Sequence, residues 1–473
     1  MRIKSLLLAL LPAALVWAAE PSVPDTPAAR QFTGYLKAFN SGDRSVLREF
    51  FEKNYPERVQ SVDDQIGFRA RTGGFDFRKS EEATATKFVG LVQERDSDQF
   101  ARISVEVEPA APYRIKQVGL RAVPRPPEFT LPSMSEDAAF AALRSQVEKD
   151  AAADRFSGAI AIAKDGKILF TAVNGMADRD KKISNKLDTR FRIGSMNKMF
   201  TAVSILQLVQ DGKIALTDPL GKYLADYPNK DVASKVTIHH LLTHTGGTGD
   251  IFGPQFSAHR LELRTLRDYV KLYGERDLKF EPGSRWEYSN YGFLLLGVVI
   301  EKVSAGSYYD YVRDRVFKPA GMTSTASLPE DETVPGRSVG YMKDGPNGLR
   351  PNTDTLPYRG TSAGGGYSTA EDLVRFGIAL QTHKLLNAHY TDLLTTGKVE
   401  TRPGEKYAYG FFDRNANGVR SFGHGGGAPG MNGDLQIFPQ SGYVIAALSN
   451  FDPPAAQRAA DFIALRLPAK PRP

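Results

Sequence analysis

The chain has 473 residues, 41% of them hydrophobic and 24% charged, and its formal net charge is +7 at pH 7. These values describe a globular protein, and the length predicts two or three domains rather than a single core. No run of five or more lysines and arginines occurs, so we expect no nucleic-acid partner. The chain contains no cysteine, which excludes disulfides and a cysteine nucleophile.

The first twenty residues, MRIKSLLLALLPAALVWAAE, have the pattern of a secretory signal peptide. Arg2 and Lys4 precede an apolar run, and small residues suit cleavage after Ala18, so we assign residues 1–18 to the signal. The apolar run is shorter than the roughly 20 residues that span a bilayer. We therefore expect export to the periplasm or the medium, with no stable membrane span after cleavage.

Residues 26–125 are predicted to form a small α+β domain. Helical spacing in AARQFTGYLKAFNSGDRSVLREFFEKN is broken by the turn NSGD. The alternating stretches KFVGLVQER, FARISVEVEP and YRIKQVGLRAV then indicate strands. This order of elements resembles that of the NTF2-like domains, a small fold of helices and a curved sheet. No charged constellation here points to catalysis.

A proline-rich linker at residues 126–137 and a second α+β domain at residues 138–465 follow. The second domain begins with a predicted helix, AFAALRSQVEKDAA, and a strand pair that turns at Asp165 and Gly166. Strands return near its end, in GDLQIFPQSGYVIAALSN, before a last helix. Strands at both ends predict an antiparallel sheet of about five strands with an inserted helical lobe.

The stretch SMNK places Ser195 three residues before Lys198, which would bring the two side chains to one side of a helix. A serine hydroxyl attacks a carbonyl only when a base takes its proton. A neutral lysine amine can do so if its pKa falls well below about 10.4. On its own the pattern is usually a capping serine and a solvated lysine.

Three further stretches favour a catalytic interpretation of SMNK: YSN at residues 288–290, HGGG at 424–427 and LLTHTGG at 241–247. Together with SMNK they resemble the motifs of the serine β-lactamase and penicillin-binding superfamily, on its class C and esterase branch. The resemblance covers roughly residues 140–460 and implies a β-lactamase/transpeptidase-like fold. The chain departs from the pattern at His424, where penicillin-recognising members have lysine.

The resemblance implies a role for each matched residue. Ser195 would be the nucleophile, Lys198 and Tyr288 would share the base and acid roles, and Asn290 would hold both Lys198 and the substrate amide or ester. The resemblance also implies an oxyanion site.

The oxyanion would be bound by two backbone N–H groups, on Ser195 and Gly427. Gly426 and its neighbouring glycines would let the substrate backbone approach closely. His424 would either contact substrate or only orient the glycine turn, and Tyr288 could instead be a packed core residue.

The expected activity is that of a serine hydrolase with a small-molecule or peptide substrate. The sequence does not choose among small esters, D-amino-acid peptides, peptidoglycan peptides and β-lactams, and it leaves the oligomeric state open. Two alternatives remain: a catalytically silent binder of cell-wall peptides, and a ligand-binding module centred on the N-terminal domain.

Other candidate sites fail on their residue types. His240 and His244 are spaced for zinc, but Leu241 stands where a zinc protease has glutamate. DRNANG begins like a calcium loop, but its twelfth position is His424 instead of glutamate. SAGGGYS lacks the ending of a phosphate loop. We infer no metal and no cofactor.

Overall fold

A computed structural model describes residues 22–132, 134–345, 348–416 and 418–468. The predicted signal peptide, residues 1–18, lies outside the described residues. The chain separates into two compact units, the first ending at Arg125 and the second beginning at Pro126.

The first unit contains three helices followed by four strands. They are α1 (Pro27–Ser41), α2 (Arg44–Asn54), α3 (Val62–Thr72), β1 (Phe75–Ala83), β2 (Lys87–Glu94), β3 (Phe100–Val107) and β4 (Ile115–Val123). The strands form one antiparallel sheet in chain order, and aromatic side chains such as Phe32, Phe39 and Phe88 fill the core between sheet and helices. The small α+β unit fits the prediction.

Sequence reasoning missed α3 and β1 in this unit. In α3 only Val62 and Thr72 are buried, and most of β1 is exposed or half-buried. Neither segment therefore carries the apolar periodicity on which the prediction depended.

The second unit contains fourteen strands among the described residues. They are β5 (Gly158–Lys164), β6 (Lys167–Asn174), β7 (Met176–Asp178), β8 (Ile183–Ser184), β9 (Phe191–Arg192), β10 (Tyr341–Asp344), β11 (Gly348–Pro351), β12 (Tyr367–Ser368), β13 (Val399–Arg402), β14 (Glu405–Tyr407), β15 (Phe412–Ala416), β16 (Val419–Ala428), β17 (Met431–Ile437) and β18 (Tyr443–Ser449).

The helices of this unit lie mostly between β9 and β13. They are α4 (Glu136–Ala152), α5 (Asn197–Gln210), α6 (Lys230–Lys235), α7 (Ile238–Leu242), α8 (Pro254–His259), α9 (Leu266–Tyr273), α10 (Asn290–Ser304), α11 (Tyr308–Val312), α12 (Lys318–Ala320), α13 (Ala370–Gln381), α14 (Ala388–Thr395) and α15 (Ala455–Ala464). Across the described ranges, none of the helices combines the length and the apolar character needed to cross a membrane.

The main sheet has eight antiparallel strands in the order β13-β14-β15-β16-β17-β18-β5-β6. Strands from the two ends of the unit meet where β18 pairs with β5, as the sequence predicts. The expected number of about five strands is wrong, because β13, β14 and β15 also join the sheet. These three are only 4, 3 and 5 residues long and rich in charged side chains, so they show no hydrophobic alternation.

Both faces of the sheet are covered. Along β5, Ala159 and Ala161 belong to the core shared with α5, α10 and α13, whereas Ile160 and Ile162 belong to the core shared with α4 and α15. This two-sided burial gives the sheet a rigid centre, and the candidate site lies where β16 meets the beginning of α5.

Candidate active site

Ser195 lies in a 3₁₀ turn, Gly194–Met196, that runs directly into α5. The prediction that Ser195 and Lys198 share one α-helix is therefore wrong in detail, but the two side chains still meet, with 3.1 Å between Lys198 Nζ and Ser195 Oγ. Gly194 has a left-handed conformation, φ +52°, which favours glycine at this tight turn.

The Lys198 amine is fully buried, with 0% exposure, and has three polar neighbours. Nζ donates to Asn290 Oδ1 at 2.7 Å and to the Ala363 carbonyl oxygen at 2.6 Å. A neutral amine has two N–H donors and one lone pair. The two carbonyl oxygens therefore occupy both donors and leave the lone pair for the hydroxyl proton of Ser195.

Burial lowers the pKa of Lys198 to about 7, because the charged form loses hydration, and the negative charge of Asp250 only partly opposes this change. A large fraction of Lys198 is thus neutral near neutral pH. Position and protonation state both suit a base for Ser195.

Tyr288 lies immediately before α10 and beside the lysine, with Lys198 Nζ 4.7 Å from the centroid of its ring. Burial raises the pKa of Tyr288, and contact with the Ser195 hydroxyl opposes that rise. The next residue, Ser289, is the N-cap of α10 and accepts a hydrogen bond from Gly292 N at 2.9 Å. The beginning of this helix thus fixes Tyr288 beside the Ser195 hydroxyl.

Asn290 is the first residue of α10, and its side chain is committed to two partners. Its carbonyl oxygen accepts from Lys198, and its Nδ2 donates to Asp250 Oδ1 at 3.0 Å and Oδ2 at 3.2 Å. The structure thus brings Asn290 to Lys198, as the resemblance implies. The predicted contact of this side chain with substrate competes with the Asp250 carboxylate for Nδ2.

The glycine strand β16 runs directly against the turn that carries Ser195. A Cβ on Gly426 would lie 1.9 Å from the Ile193 carbonyl oxygen, and a Cβ on Gly194 would lie 3.0 Å from Gly427 N. Only glycine permits this approach. The backbone of Gly427 therefore lies next to the turn that carries Ser195. Gly427 is itself exposed to solvent.

His424 lies on β16 but is only 3% exposed. Its Nε2 is 3.2 Å from the Tyr407 hydroxyl, and its Nδ1 bonds the Gly425 carbonyl oxygen, so Nδ1 carries the proton and Nε2 accepts. Burial, together with the nearby Lys198, lowers the pKa of His424 to about 3. This geometry favours the interpretation that His424 orients the glycine strand.

Three residues at the site escaped prediction: the Ala363 carbonyl, Asp250 and the ring of His244. Ala363 belongs to SAGGG, whose glycines are the only sequence signal for a backbone that approaches the site closely. Asp250 follows LLTHTGG by three residues and has no motif of its own. The ring of His244 lies 4.3 Å from the ring of Tyr288, measured between centroids, and only the tertiary fold brings these two residues together.

The sequence profile of the family described as Beta-lactamase matches residues 143–470. Among curated proteins, PbpX of Bacillus subtilis (strain 168) is 34% identical over 295 residues, which cover 62% of this chain and 70% of that protein. The range matched by the family profile contains every motif of the candidate site.

Solved structures agree with this likeness. A penicillin binding protein from Bacillus halodurans is 35% identical, with a TM-score of 0.62 over 68% of this chain and 98% of that one. A D-stereospecific amidohydrolase from Streptomyces sp. is 30% identical, with a TM-score of 0.58 over 68% of this chain and 97% of that one. Each likeness thus spans about two thirds of this chain and nearly the whole of the other protein.

Proposed function

The chain belongs to the β-lactamase family, and from this premise we propose that it is an exported serine hydrolase that cleaves an ester or amide through an acyl-enzyme on Ser195. The observation that carries the proposal is the buried Lys198 amine, 3.1 Å from Ser195 Oγ and with its pKa lowered to about 7. Few structural roles require a lysine in such an environment.

In the acylation step Ser195 Oγ attacks the substrate carbonyl while its proton moves to Lys198 Nζ. Lys198 then has three N–H groups, and Ser195 Oγ, Asn290 Oδ1 and the Ala363 carbonyl oxygen can each accept one of them. The negative charge that develops on the carbonyl oxygen is stabilised by the N–H groups of Ser195 and Gly427. The leaving group then departs with a proton delivered through Tyr288 or Lys198.

Deacylation reverses the roles of the same groups. Lys198, again neutral, accepts a proton from water, directly or relayed by the Tyr288 hydroxyl, as the water oxygen attacks the acyl carbonyl. The bond between the acyl carbon and Ser195 Oγ then breaks, and the proton passes from Lys198 to Ser195 Oγ. The phenol of Tyr288 stays protonated in the resting site, since burial raises its pKa. It therefore serves as a proton donor and relay beside the Lys198 base.

We assign the substrate to small esters, D-amino-acid amides and peptides, or peptidoglycan peptides. The likeness to a D-stereospecific amidohydrolase supports the D-amino-acid class, and the likeness to a penicillin binding protein supports the cell-wall class. His424 supplies no positive charge at neutral pH because its pKa is lowered to about 3, which favours neutral substrates over carboxylates.

Export is part of the proposal and depends on the signal sequence of residues 1–18. The expected mature chain begins at Ala19. Amino-terminal sequencing of the protein recovered outside the cytoplasm tests this directly, and a retained Met1 would contradict it.

The hydrolase proposal is tested by a panel of p-nitrophenyl esters, D-aminoacyl p-nitroanilides and a chromogenic penicillin. Ser195→Ala should lose turnover on every substrate that the wild type cleaves. The matched control is Ser204→Ala, on the same helix, whose hydroxyl only donates to the Phe200 carbonyl oxygen. A folded wild type that binds cell-wall peptides and turns over none of the panel would instead favour the silent binder.

A further inference from the structure

The carboxylate of Asp250 accepts hydrogen bonds from three N–H groups. Two belong to Asn290, the first residue of α10, and the third belongs to Ile251, the residue after Asp250. Asn290 Nδ2 donates to both oxygens, Asn290 N donates to Oδ1 at 3.2 Å, and Ile251 N donates to Oδ1 at 2.7 Å. No ion pair joins Asp250 to a lysine, arginine or histidine of the described chain. Its charge is thus directed at the Asn290 amide.

This arrangement allows one orientation of the Asn290 amide. An ionised carboxylate only accepts hydrogen bonds, so the NH₂ group of Asn290 must face Asp250. The carbonyl oxygen must then face Lys198, where it accepts at 2.7 Å.

The opposite orientation would disable Lys198 as a base. A flipped amide would direct its NH₂ group at the lysine, and a neutral amine would accept that hydrogen bond with its lone pair. The same lone pair must take the Ser195 proton, so the flipped amide would block the 3.1 Å contact between Nζ and Oγ. A protonated Lys198 would instead meet the donor NH₂ group and keep only the Ala363 carbonyl oxygen and the Ser195 hydroxyl as acceptors for its three N–H groups.

We propose that Asp250 is a positioning residue for catalysis, which acts through Asn290 to keep the lone pair of Lys198 directed at Ser195. The proposal deepens the proposed serine hydrolase mechanism and rests on it. It assigns a function to a residue outside the SMNK, YSN and HGGG stretches. It also gives a reason for the hydrogen bonds from Asn290 Nδ2 to Asp250, in the side chain that was expected to hold both Lys198 and substrate.

A purely structural alternative exists, because Asp250 also caps the N-terminus of α10 through Asn290 N. The two roles differ in what they predict. Loss of a cap lowers stability and leaves the acylation rate unchanged, whereas loss of the orientation lowers the acylation rate constant.

Removal of the Asp250 charge should also change the pH profile, whichever of the two roles Asp250 has. The titratable groups near Lys198 are Tyr288, His244, His424 and Asp250, and of these Asp250 raises the lysine pKa. Two further groups act at Asp250: Arg276 donates to its backbone oxygen at 2.7 Å, and the Asp250 charge contributes to the raised pKa of Tyr273. Removing the carboxylate should therefore move the acid limb of the acylation rate to lower pH.

The test measures the pre-steady-state burst of a neutral p-nitrophenyl ester in the full-length protein. The burst gives the acylation rate constant and the dissociation constant of the ester separately. The variants are Asp250→Asn, which keeps the shape but supplies both donor and acceptor, Asp250→Ala, and Asp250→Glu as the conservative replacement. The control is Asp43→Ala, which removes a capping aspartate from α2 in the first unit.

We expect the acylation rate constant to fall 10- to 100-fold in Asp250→Asn and Asp250→Ala, with the ester dissociation constant changed by less than about threefold. The acid limb should shift to lower pH, Asp250→Glu should recover part of the rate, and Asp43→Ala should acylate like the wild type. If Asp250→Ala does not fold, Asp250→Asn and Asp250→Glu carry the test.

Two results would overturn the proposal. An unchanged acylation rate with a lowered melting temperature would make Asp250 a helix cap only. A weaker ester dissociation constant with an unchanged rate would make it a substrate-binding residue. Failure of the hydrolase mechanism itself is distinguishable, because the wild type would then turn over the ester no faster than Ser195→Ala.

Discussion

The ring of His244 lies against the ring of Tyr288, with 4.3 Å between their centroids. The same residue holds both neighbours of the tyrosine: Ser289 N donates to His244 Nδ1 at 3.1 Å, and Glu287 N donates to the His244 carbonyl oxygen at 3.0 Å. His244 itself has φ +58°, a left-handed conformation. His244 thus fixes the position of residues 287–289, the segment that carries Tyr288.

We expect His244→Ala to slow acylation of a p-nitrophenyl ester by about tenfold and to cost about 3 kcal/mol of stability, since it removes a large buried side chain. His244→Asn should recover part of the rate, because asparagine tolerates a left-handed backbone and keeps an acceptor. Burst kinetics and urea unfolding measure the two effects. An unchanged burst rate in a destabilised His244→Ala would show that His244 does not govern the chemistry.

The pH dependence of ester hydrolysis should follow the Lys198 base. Its pKa is lowered to about 7 by burial, and the neutral form is the active one, so kcat/KM should rise with pH through this value. Between pH 6 and 8 the increase should be about tenfold. Tyr288 should not contribute in this range, because burial raises its pKa above the ordinary value.

The measurement is kcat/KM for a neutral ester from pH 5 to 9, corrected for spontaneous hydrolysis. A profile that is flat from pH 5 to 8, or that falls as pH rises, would contradict a lysine base.

Selectivity against carboxylated substrates should depend on His424. This histidine stays neutral from pH 5.5 to 8 because its pKa is lowered to about 3, so it cannot pair with the carboxylate of a penicillin or a terminal D-alanine. We expect small neutral esters or peptides to be preferred to β-lactams. His424→Lys should shift the kcat/KM ratio 10- to 100-fold toward carboxylated substrates, the value of one charge-assisted hydrogen bond of about 1.5–3 kcal/mol.

The matched control is His389→Lys, which adds the same charge at an exposed position on α14. If the wild type hydrolyses penicillin faster than activated esters, at a rate unchanged between pH 5.5 and 8, a neutral His424 does not disfavour carboxylated substrates.

A carboxylate pair between β17 and α15, with Asp434 buried and Asp461 half-buried, should make the stability of the second unit depend on pH. Gln436 Nε2 donates to Asp434 Oδ2 and to Asp461 Oδ1, both at 2.7 Å. Burial, with the neighbouring Asp434 charge, raises the pKa of Asp461 to about 7. Since the folded state binds this proton more tightly than the unfolded state, stability is highest at low pH and falls as pH rises toward 7.

Asp461→Asn should remove this contribution, on the order of 2–4 kcal/mol between pH 4 and 7. Urea unfolding of the wild type and the variant at pH 4, 5.5 and 7 measures the difference between them. Equal slopes of unfolding free energy against pH in the two proteins would mean that Asp461 does not retain a proton on folding.

The first unit is expected to modulate or dock rather than catalyse, and the boundary at Arg125 and Pro126 makes this testable. A chain that starts at Pro132 keeps α4 and every residue of the candidate site. Its kcat/KM for ester hydrolysis should stay within about threefold of that of the full chain, because the truncation removes no residue of the candidate site. A folded, soluble truncation whose Ser195 is labelled but which shows no turnover would assign the first unit a part in the reaction.

Much of the second unit could be predicted because its signals are local. The turn at Asp165 and Gly166, the helix before it and the strands at both ends follow from periodicity and turn residues, and β5 and β18 pair as expected. The short strands β13, β14 and β15 could not be predicted, because pairing with β16 rather than their own composition makes them strands.

The candidate site divides in the same way. Ser195, Lys198, Tyr288 and Asn290 could be named from spaced motifs. Asp250 and the Ala363 carbonyl could not, since both act through hydrogen bonds that only the tertiary fold creates. His424 was found as a motif position, but its burial and its bond to Tyr407 become visible only in the folded chain.

The assignment of Ser195 as the nucleophile is tested most directly by the mass of the protein after incubation with a fluorophosphonate, followed by peptide mapping. We expect one adduct, on Ser195, which is absent from Ser195→Ala and forms at least about 100-fold more slowly in Lys198→Ala because the two groups act as a unit. Ser204→Ala should label like the wild type. An adduct on another residue, or equal labelling of a folded Ser195→Ala, would contradict the assignment of Ser195 as the nucleophile.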